Sequence, residues 1–161
     1  MRRLAVVLFV IGLVAGCGSA PPEPSPLEGE LVAGTAVNPD SAGRASPVQV
    51  RLYQLKADSQ FMAADFMALY QSDEAVLGAD LLGKEEFTLR PGDELPYEGE
   101  VDPETRFIGA FAGFRDYGHA NWKATVVVPE EKLLKLQNPF KNDVLIVEVD
   151  ELSVSVKFER K

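Results

Sequence analysis

Along most of this chain apolar and polar side chains alternate one by one. Val48, Val50 and Leu52 alternate with Gln49, Arg51 and Tyr53; Leu152, Val154, Val156 and Phe158 alternate with Ser153, Ser155, Lys157 and Glu159. A strand points successive side chains to opposite faces, so a period of two predicts strands buried on one side. Leu145, Val147 and Val149 precede the last run, and Asp150-Glu151 between them predicts a tight terminal hairpin. Residues 106 to 114 (RFIGAFAGF) are apolar at both parities, which predicts a central strand covered on both sides, with Gly109 and Gly113 letting a neighbouring backbone or ring come close. Trp122, Ala124, Val126 and Val128 form another run, stopped by Pro129, and Phe87 with Leu89 makes a short strand. Arg90-Pro91-Gly92-Asp93 puts Pro and Gly where a type II turn requires them, and Leu95, Tyr97 and Val101 share one face of the strand that follows. With residues 29 to 36 as the first, about eight short strands are expected. The fold class is mainly all-β, a β-sandwich.

One segment departs from this pattern. Residues 58 to 83 lack strand character, and Met62, Phe66, Leu69 and Tyr70 fall on one helical face. Ser72 is placed to cap a second short helix with Asp73 and Glu74 in its first turn, and Gly78 or Gly83 to end it. The aromatic and Met stripe reads as core contact with the sandwich, a partner-binding groove being the other reading. Residues 36 to 47 (AVNPDSAGRASP) are the other irregular stretch, a long loop rich in turn formers. Long loops on rigid strands are common binding elements, and a solvated connection is the alternative.

The N-terminus follows different rules. Arg2 and Arg3 precede an uncharged apolar run, Leu4 to Val14, too short to span a bilayer as a helix. Val14-Ala15-Gly16-Cys17 then reads aliphatic, small, small, Cys, the pattern of a bacterial lipoprotein signal. Residues 1–16 are expected to be removed. Cys17, the only cysteine, is expected to be a lipidation point carrying a covalent diacylglycerol and an N-acyl chain rather than a disulfide partner or nucleophile. An ordinary exported protein with an incidental Cys is the alternative. Gly18 is not the Asp that signals inner-membrane retention, so the outer membrane is expected. Residues 17–27 hold four prolines, which favours an extended spacer reaching up to ~30 Å from the bilayer, or simply a floppy leader. Residues 28–161 would form the folded domain.

Charge and chemistry narrow the function. Asp and Glu total 25 against 16 Lys and Arg, a net charge of −9, which argues against nucleic acid as a partner. One His, His119, and one lipidated Cys cannot build a usual zinc site, so no metal is expected. His119 sits in a polar Gly-His-Ala-Asn loop and reads as solvated or capping. No nucleophile elbow, phosphate-cradling loop or dinucleotide fingerprint is present, so no catalytic residue is assigned. Arg115-Asp116 reads as a local ion pair and Glu130-Glu131-Lys132 as a solvated turn or short helix.

Several stretches together resemble the type VI secretion outer-membrane lipoproteins of the SciN/TssJ (VasD) family. They are Asn38-Pro39-Asp40 with Gly43-Arg44 and Ser46-Pro47, VRLYQLK at 50–56, ADF at 64–66 with LY at 69–70, LGADLL at 77–82, RPGD at 90–93, and FAGFRDY at 111–117 with Trp122. The resemblance implies a transthyretin-like sandwich of two antiparallel sheets, with the helical segment (about 58–83) inserted between the second and third strands. It implies an anchor at the periplasmic face of the outer membrane that binds the periplasmic C-terminal region of the inner-membrane protein TssM, and through it, indirectly, TssL. It assigns that contact to the loop between the first two strands, with Asn38, Pro39, Asp40, Ser41, Gly43, Arg44 and Ser46 as candidate residues. A ligand- or carbohydrate-binding lipoprotein on a similar sandwich is the alternative function.

Overall fold

The computed structural model describes residues 23–129 and 143–160. Eight strands are found among them: β1 (Ser25–Ala33), β2 (Val48–Leu55), β3 (Leu81–Leu89), β4 (Glu94–Val101), β5 (Phe107–Ala112), β6 (Lys123–Val127), β7 (Asp143–Val149) and β8 (Val154–Arg160). They form two four-stranded sheets, ordered β4-β1-β7-β8 and β3-β2-β5-β6. Every neighbouring pair is antiparallel except β1 and β7, which run parallel. This corrects the expectation of purely antiparallel sheets. A parallel pair has no hairpin between its strands, so local pattern carries no trace of it.

Alternation sorts the side chains into two cores. Leu27, Leu31, Val48, Val50, Leu52, Ile108, Ala110, Leu145, Val147, Val149, Val154 and Val156 face one another between the sheets. The opposite parity of β2 and β5 supplies Tyr53, Leu55 and Phe111 to a second cluster under the helices, with Phe61, Phe66, Leu69 and Leu77. This is why residues 106–114 read as apolar on both faces. Gly109 lets the outer core close on β5: a Cβ there would lie 3.2 Å from Leu55 Cδ1 and 3.3 Å from the Phe61 ring, a tight fit.

The insertion comprises α1 (Ser59–Ala63), α2 (Phe66–Leu77) and a 3-10 turn at Gly78–Asp80. Ala64 is extended (ψ 145°), so the chain breaks between the helices and the face drawn through Met62 does not continue. Phe61 is the buried residue of α1, while Met62 and Tyr70 are exposed. Asp65 caps α2, its side chain accepting the Ala68 N–H at 2.9 Å. Ser72 lies at a kink (φ −149°, ψ 40°), where a second helical piece begins, and Gly78 ends it with φ +51°.

Asp73, expected in the first turn of the second helical piece, does more than offset a helix dipole. It is buried, and it accepts the Tyr53 hydroxyl at 2.9 Å, the Lys84 ammonium at 3.2 Å and Arg51 Nη1 at 3.2 Å. The same Arg51 Nη1 donates to the Leu69 and Tyr70 carbonyls at the kink. Burial alone would push the Asp73 carboxyl up, but the bonds from Tyr53 and Lys84 outweigh it and hold it below the usual range. At the other end of the insertion, Lys123 Nζ donates to the carbonyls of Phe61, Met62 and Ala64, at 3.1, 2.7 and 2.6 Å. Two cations from the sheet thus donate to carbonyls at the end of α1 and at the α2 kink.

Strand boundaries also move. The first strand begins at Ser25 rather than residue 29, so Ser25, Pro26 and Leu27 leave the spacer and pair with β4. It ends at Ala33 rather than 36. The strand expected from Phe87 and Leu89 alone is nine residues long. Its Lys84-Glu85-Glu86 run hides it: Lys84 and Glu86 face Arg51 and Asp73 beneath the insertion, and Glu85 accepts the Tyr97 hydroxyl at 2.7 Å. Leu95, expected inside with Tyr97 and Val101, is 37% exposed near the start of edge strand β4.

Candidate partner-docking site

Strand direction gives the sandwich two poles. Ser25 pairs with Val101, so the N-terminal end of β1 lies beside the end of β4. At the far end, Ala33 N–H bonds Asp93 O at 2.8 Å and Gly34 N–H bonds Val149 O at 2.8 Å. That second pole gathers the loop 34–47, the turn at 90–93, the loop 113–122 and the turn at 150–153. Nine residues of β1 separate the poles by about 30 Å.

The loop 34–47 is held at its base and open at its tip. Asn38 is 2% exposed and takes φ +50°, a left-handed conformation that Asn tolerates better than most residues. Its backbone N–H bonds Glu151 O at 3.0 Å, its Nδ2 donates to Pro47 O at 2.7 Å, and its Oδ1 accepts the Arg115 N–H at 2.9 Å. One residue therefore ties the loop to itself and to two other loops. Ser46 is also buried, its N–H bonded to Val37 O at 3.0 Å.

The tip is a closed turn. Asp40 accepts the Ala42 and Arg44 N–H groups at 2.8 and 3.0 Å, and the Arg44 guanidinium at 2.8 Å through Nε and 2.7 Å through Nη2. The Arg44 side chain, then its backbone N–H, holds the Asp40 carboxyl below the usual carboxylate range. Gly43 takes φ +75°, and its N–H bonds Asp40 O at 2.8 Å. Ser41, Ala42, Gly43 and Arg44 are exposed, with Pro39 half-buried.

The seven candidates from sequence thus divide. Asn38, Asp40 and Ser46 shape the loop, and Ser41, Gly43 and Arg44 face solvent with Pro39 beside them. Ala42, at the tip, was not singled out by sequence. Arg115 was read only as a partner for Asp116; it instead adjoins the loop through Asn38 and adds to the lowering of Asp40. Asp116 pairs with the exposed His119, Oδ1 to Nδ1 at 2.8 Å, as a solvated His predicts. No group of His, Cys, Asp or Glu suited to a metal occurs among the described residues. Cys17 and Glu130-Glu131-Lys132 lie outside the described residues.

Comparison with known proteins gives a concordant result. A family model described as Type VI secretion lipoprotein, VasD, EvfM, TssJ matches residues 25–159. Among solved structures the chain is similar to the T6SS lipoprotein TssJ1 from Pseudomonas aeruginosa, at 32% identity and TM-score 0.75, covering 86% of this chain and 99% of that one. It shares its fold with Serratia marcescens Lip, a membrane-bound component of the type VI secretion system, at 23% identity and TM-score 0.73, covering 86% of this chain and 100% of that one. A third similar chain comes from a structure described as the T6SS protein TssM C-terminal domain (869-1107) from EAEC, at 24% identity and TM-score 0.64, covering 83% of this chain and 98% of that one. No match was found among curated proteins.

Proposed function

The chain belongs to the type VI secretion lipoprotein family, SciN/TssJ, and from that premise we propose that it fastens the secretion system's envelope-spanning complex to the outer membrane. Residues 1–16 are the signal that is removed. Cys17 carries the diacylglycerol and N-acyl chain, the prolines that follow form the tether, and the sandwich stands on the periplasmic face. The tip of the loop 34–47 docks on the periplasmic C-terminal region of a TssM-type inner-membrane protein and so connects indirectly to TssL. The role is mechanical and involves no reaction.

The observation that carries this reading is the separation of the poles. The tether enters at Ser25 and the docking loop leaves at Ala33, so anchor and partner pull on opposite ends of β1. β1 lies inside its sheet, with eight register pairs to β4 and five to β7. A pull along β1 loads these ladder bonds together in shear rather than one at a time. The docking loop is already ordered by Asn38 and Asp40, so little further entropy is lost on binding. The EAEC structure supports the partner. A structure described as the TssM C-terminal domain contains a chain of this fold, which fits a partner of that kind.

The test replaces Ser41–Arg44 with a Gly-Ser tetrapeptide and leaves Asn38, Asp40 and Ser46 in place. Capture of the partner's periplasmic domain is expected to be lost with the thermal midpoint shifted by only a degree or two. Retained capture by a folded variant would overturn the loop assignment.

A further inference from the structure

The helical insertion carries a feature that its packing role does not use. Phe66 closes the outer core, its ring 5.2 Å from Phe111 and 5.3 Å from Trp122. Two tyrosines lie nearly flat against it: Tyr117 at 4.3 Å and 6°, and Tyr70 at 5.7 Å and 11°. Both are exposed, at 43% and 45%, and Met67, three residues before Tyr70 on the same helix, is 40% exposed. Neither tyrosine hydroxyl has a hydrogen-bond partner among the described residues. Rings fixed by stacking have little rotamer freedom left to lose, and Tyr offers an apolar face with a polar tip. Those are the properties of side chains that dominate protein interfaces.

We propose that the Tyr70–Phe66–Tyr117 stack with Met67 is a second docking surface for the same partner that takes the loop 34–47. This rests on the function proposed above. The occupant follows from continuity and position. Tyr117 lies two residues from Arg115, whose N–H is held by Asn38 of the docking loop. Gly113, at the start of the same connection, sits close enough that a Cβ would be 3.8 Å from the Tyr70 ring. The loop 113–122 therefore links the base of the docking loop to the stack. The tether joins at the opposite pole, which favours a protein over a lipid as the occupant. The chemistry called for is a partner segment that lays apolar side chains on the rings and offers polar groups to two hydroxyls.

The experiment titrates lipidated full-length protein in nanodiscs with the purified periplasmic C-terminal domain of the partner. Tyr117→Ser and Met67→Ser are each expected to weaken binding about ten-fold or more, with the thermal midpoint held. Wild-type affinity in both variants, alongside lost capture in the Ser41–Arg44 replacement, overturns this proposal and leaves the proposed function standing. Undiminished affinity in all three overturns both. If Tyr117→Ser lowers the midpoint, the paired Tyr70→Phe and Tyr117→Phe variant decides, since it keeps the rings and removes the hydroxyls. Weaker binding there supports the surface, and unchanged binding overturns it. Sedimentation that reveals a dimer dissolved by Tyr117→Ser, with partner affinity unchanged, would assign the surface to a second copy of this chain instead.

Discussion

The side-chain oxygen of Asn38 accepts the backbone N–H of Arg115 at 2.9 Å, joining positions 77 residues apart. The same side chain closes its own loop on Pro47, and its backbone reaches Glu151. The pole that carries the loop 34–47 is thus a clamp of three loops centred on one buried amide.

Replacing Asn38 tests the clamp. Asn38→Ala leaves the Arg115 N–H and the Pro47 carbonyl without partners and puts in the left-handed region a residue that tolerates it less well than Asn. A loss of about 2–4 kcal/mol is expected in denaturant unfolding. Asn38→Gly tolerates the φ of +50° and should recover roughly 1 kcal/mol of it. Equal losses in the two variants would mean that backbone conformation contributes nothing.

The buried carboxylate under α2 predicts a pH dependence. Asp73 is held below its ordinary value of 3.8 in the folded chain. Its contribution is therefore complete above that pH and is lost as the pH falls through the lower folded value. Asp73→Asn should flatten the acid limb of the stability curve in that window while changing little of its shape near neutrality. Asp73→Ala removes the acceptor shared by Tyr53, Arg51 and Lys84, leaves Arg51 with Glu86 and Lys84 with Glu74, and should cost about 1–3 kcal/mol at pH 7.

Gly29 marks where β1 meets its parallel neighbour. A Cβ there would lie 2.6 Å from the Leu145 carbonyl oxygen, a backbone atom that cannot swing aside. Gly29→Ala should destabilise the domain by about 1–3 kcal/mol and lower the force at which β1 is pulled from its sheet. Force spectroscopy with handles at the N-terminus and in the loop 34–47 would read the second effect. An unchanged rupture force would remove β1 from the load path.

Removing the anchor should leave the body intact. Cys17→Ser is expected to move the protein from the membrane fraction to the soluble periplasm with its thermal midpoint unchanged, while secretion fails. Secretion at the normal level from that variant would rule out a lipid-anchored role.

Lys123 holds three carbonyls at the end of α1, and its burial lowers its pKa. Lys123→Met keeps the stem against Trp122 and orphans the carbonyls. Hydrogen exchange should accelerate at residues 59–64 before it does in the strands.

Local pattern carried the strand inventory because each of β2, β5, β7 and β8 buries one parity or both, and that regularity survives in one dimension. It failed where charge did structural work. Lys84, Glu85 and Glu86 lack the apolar alternation of a strand, yet they build one by pairing with Arg51, Asp73 and Tyr97. It failed again across Ala64, since helical periodicity cannot see a backbone break that Lys123 stabilises from another strand. The loop 34–47 was legible as a loop from its Pro, Gly and Asn. That Asn38 and Ser46 lie inside it while Ser41–Arg44 face out was not legible.

Alternation, turn residues and short motifs are local properties of the chain, and they suffice for the sandwich, the helical insertion between β2 and β3 and the family. The parallel β1–β7 pair, the two poles, the buried ion network beneath α2 and the seating of Tyr117 on Phe66 arise only in the folded chain. Each depends on groups far apart in sequence meeting in three dimensions, and no spacing along the chain encodes such a meeting.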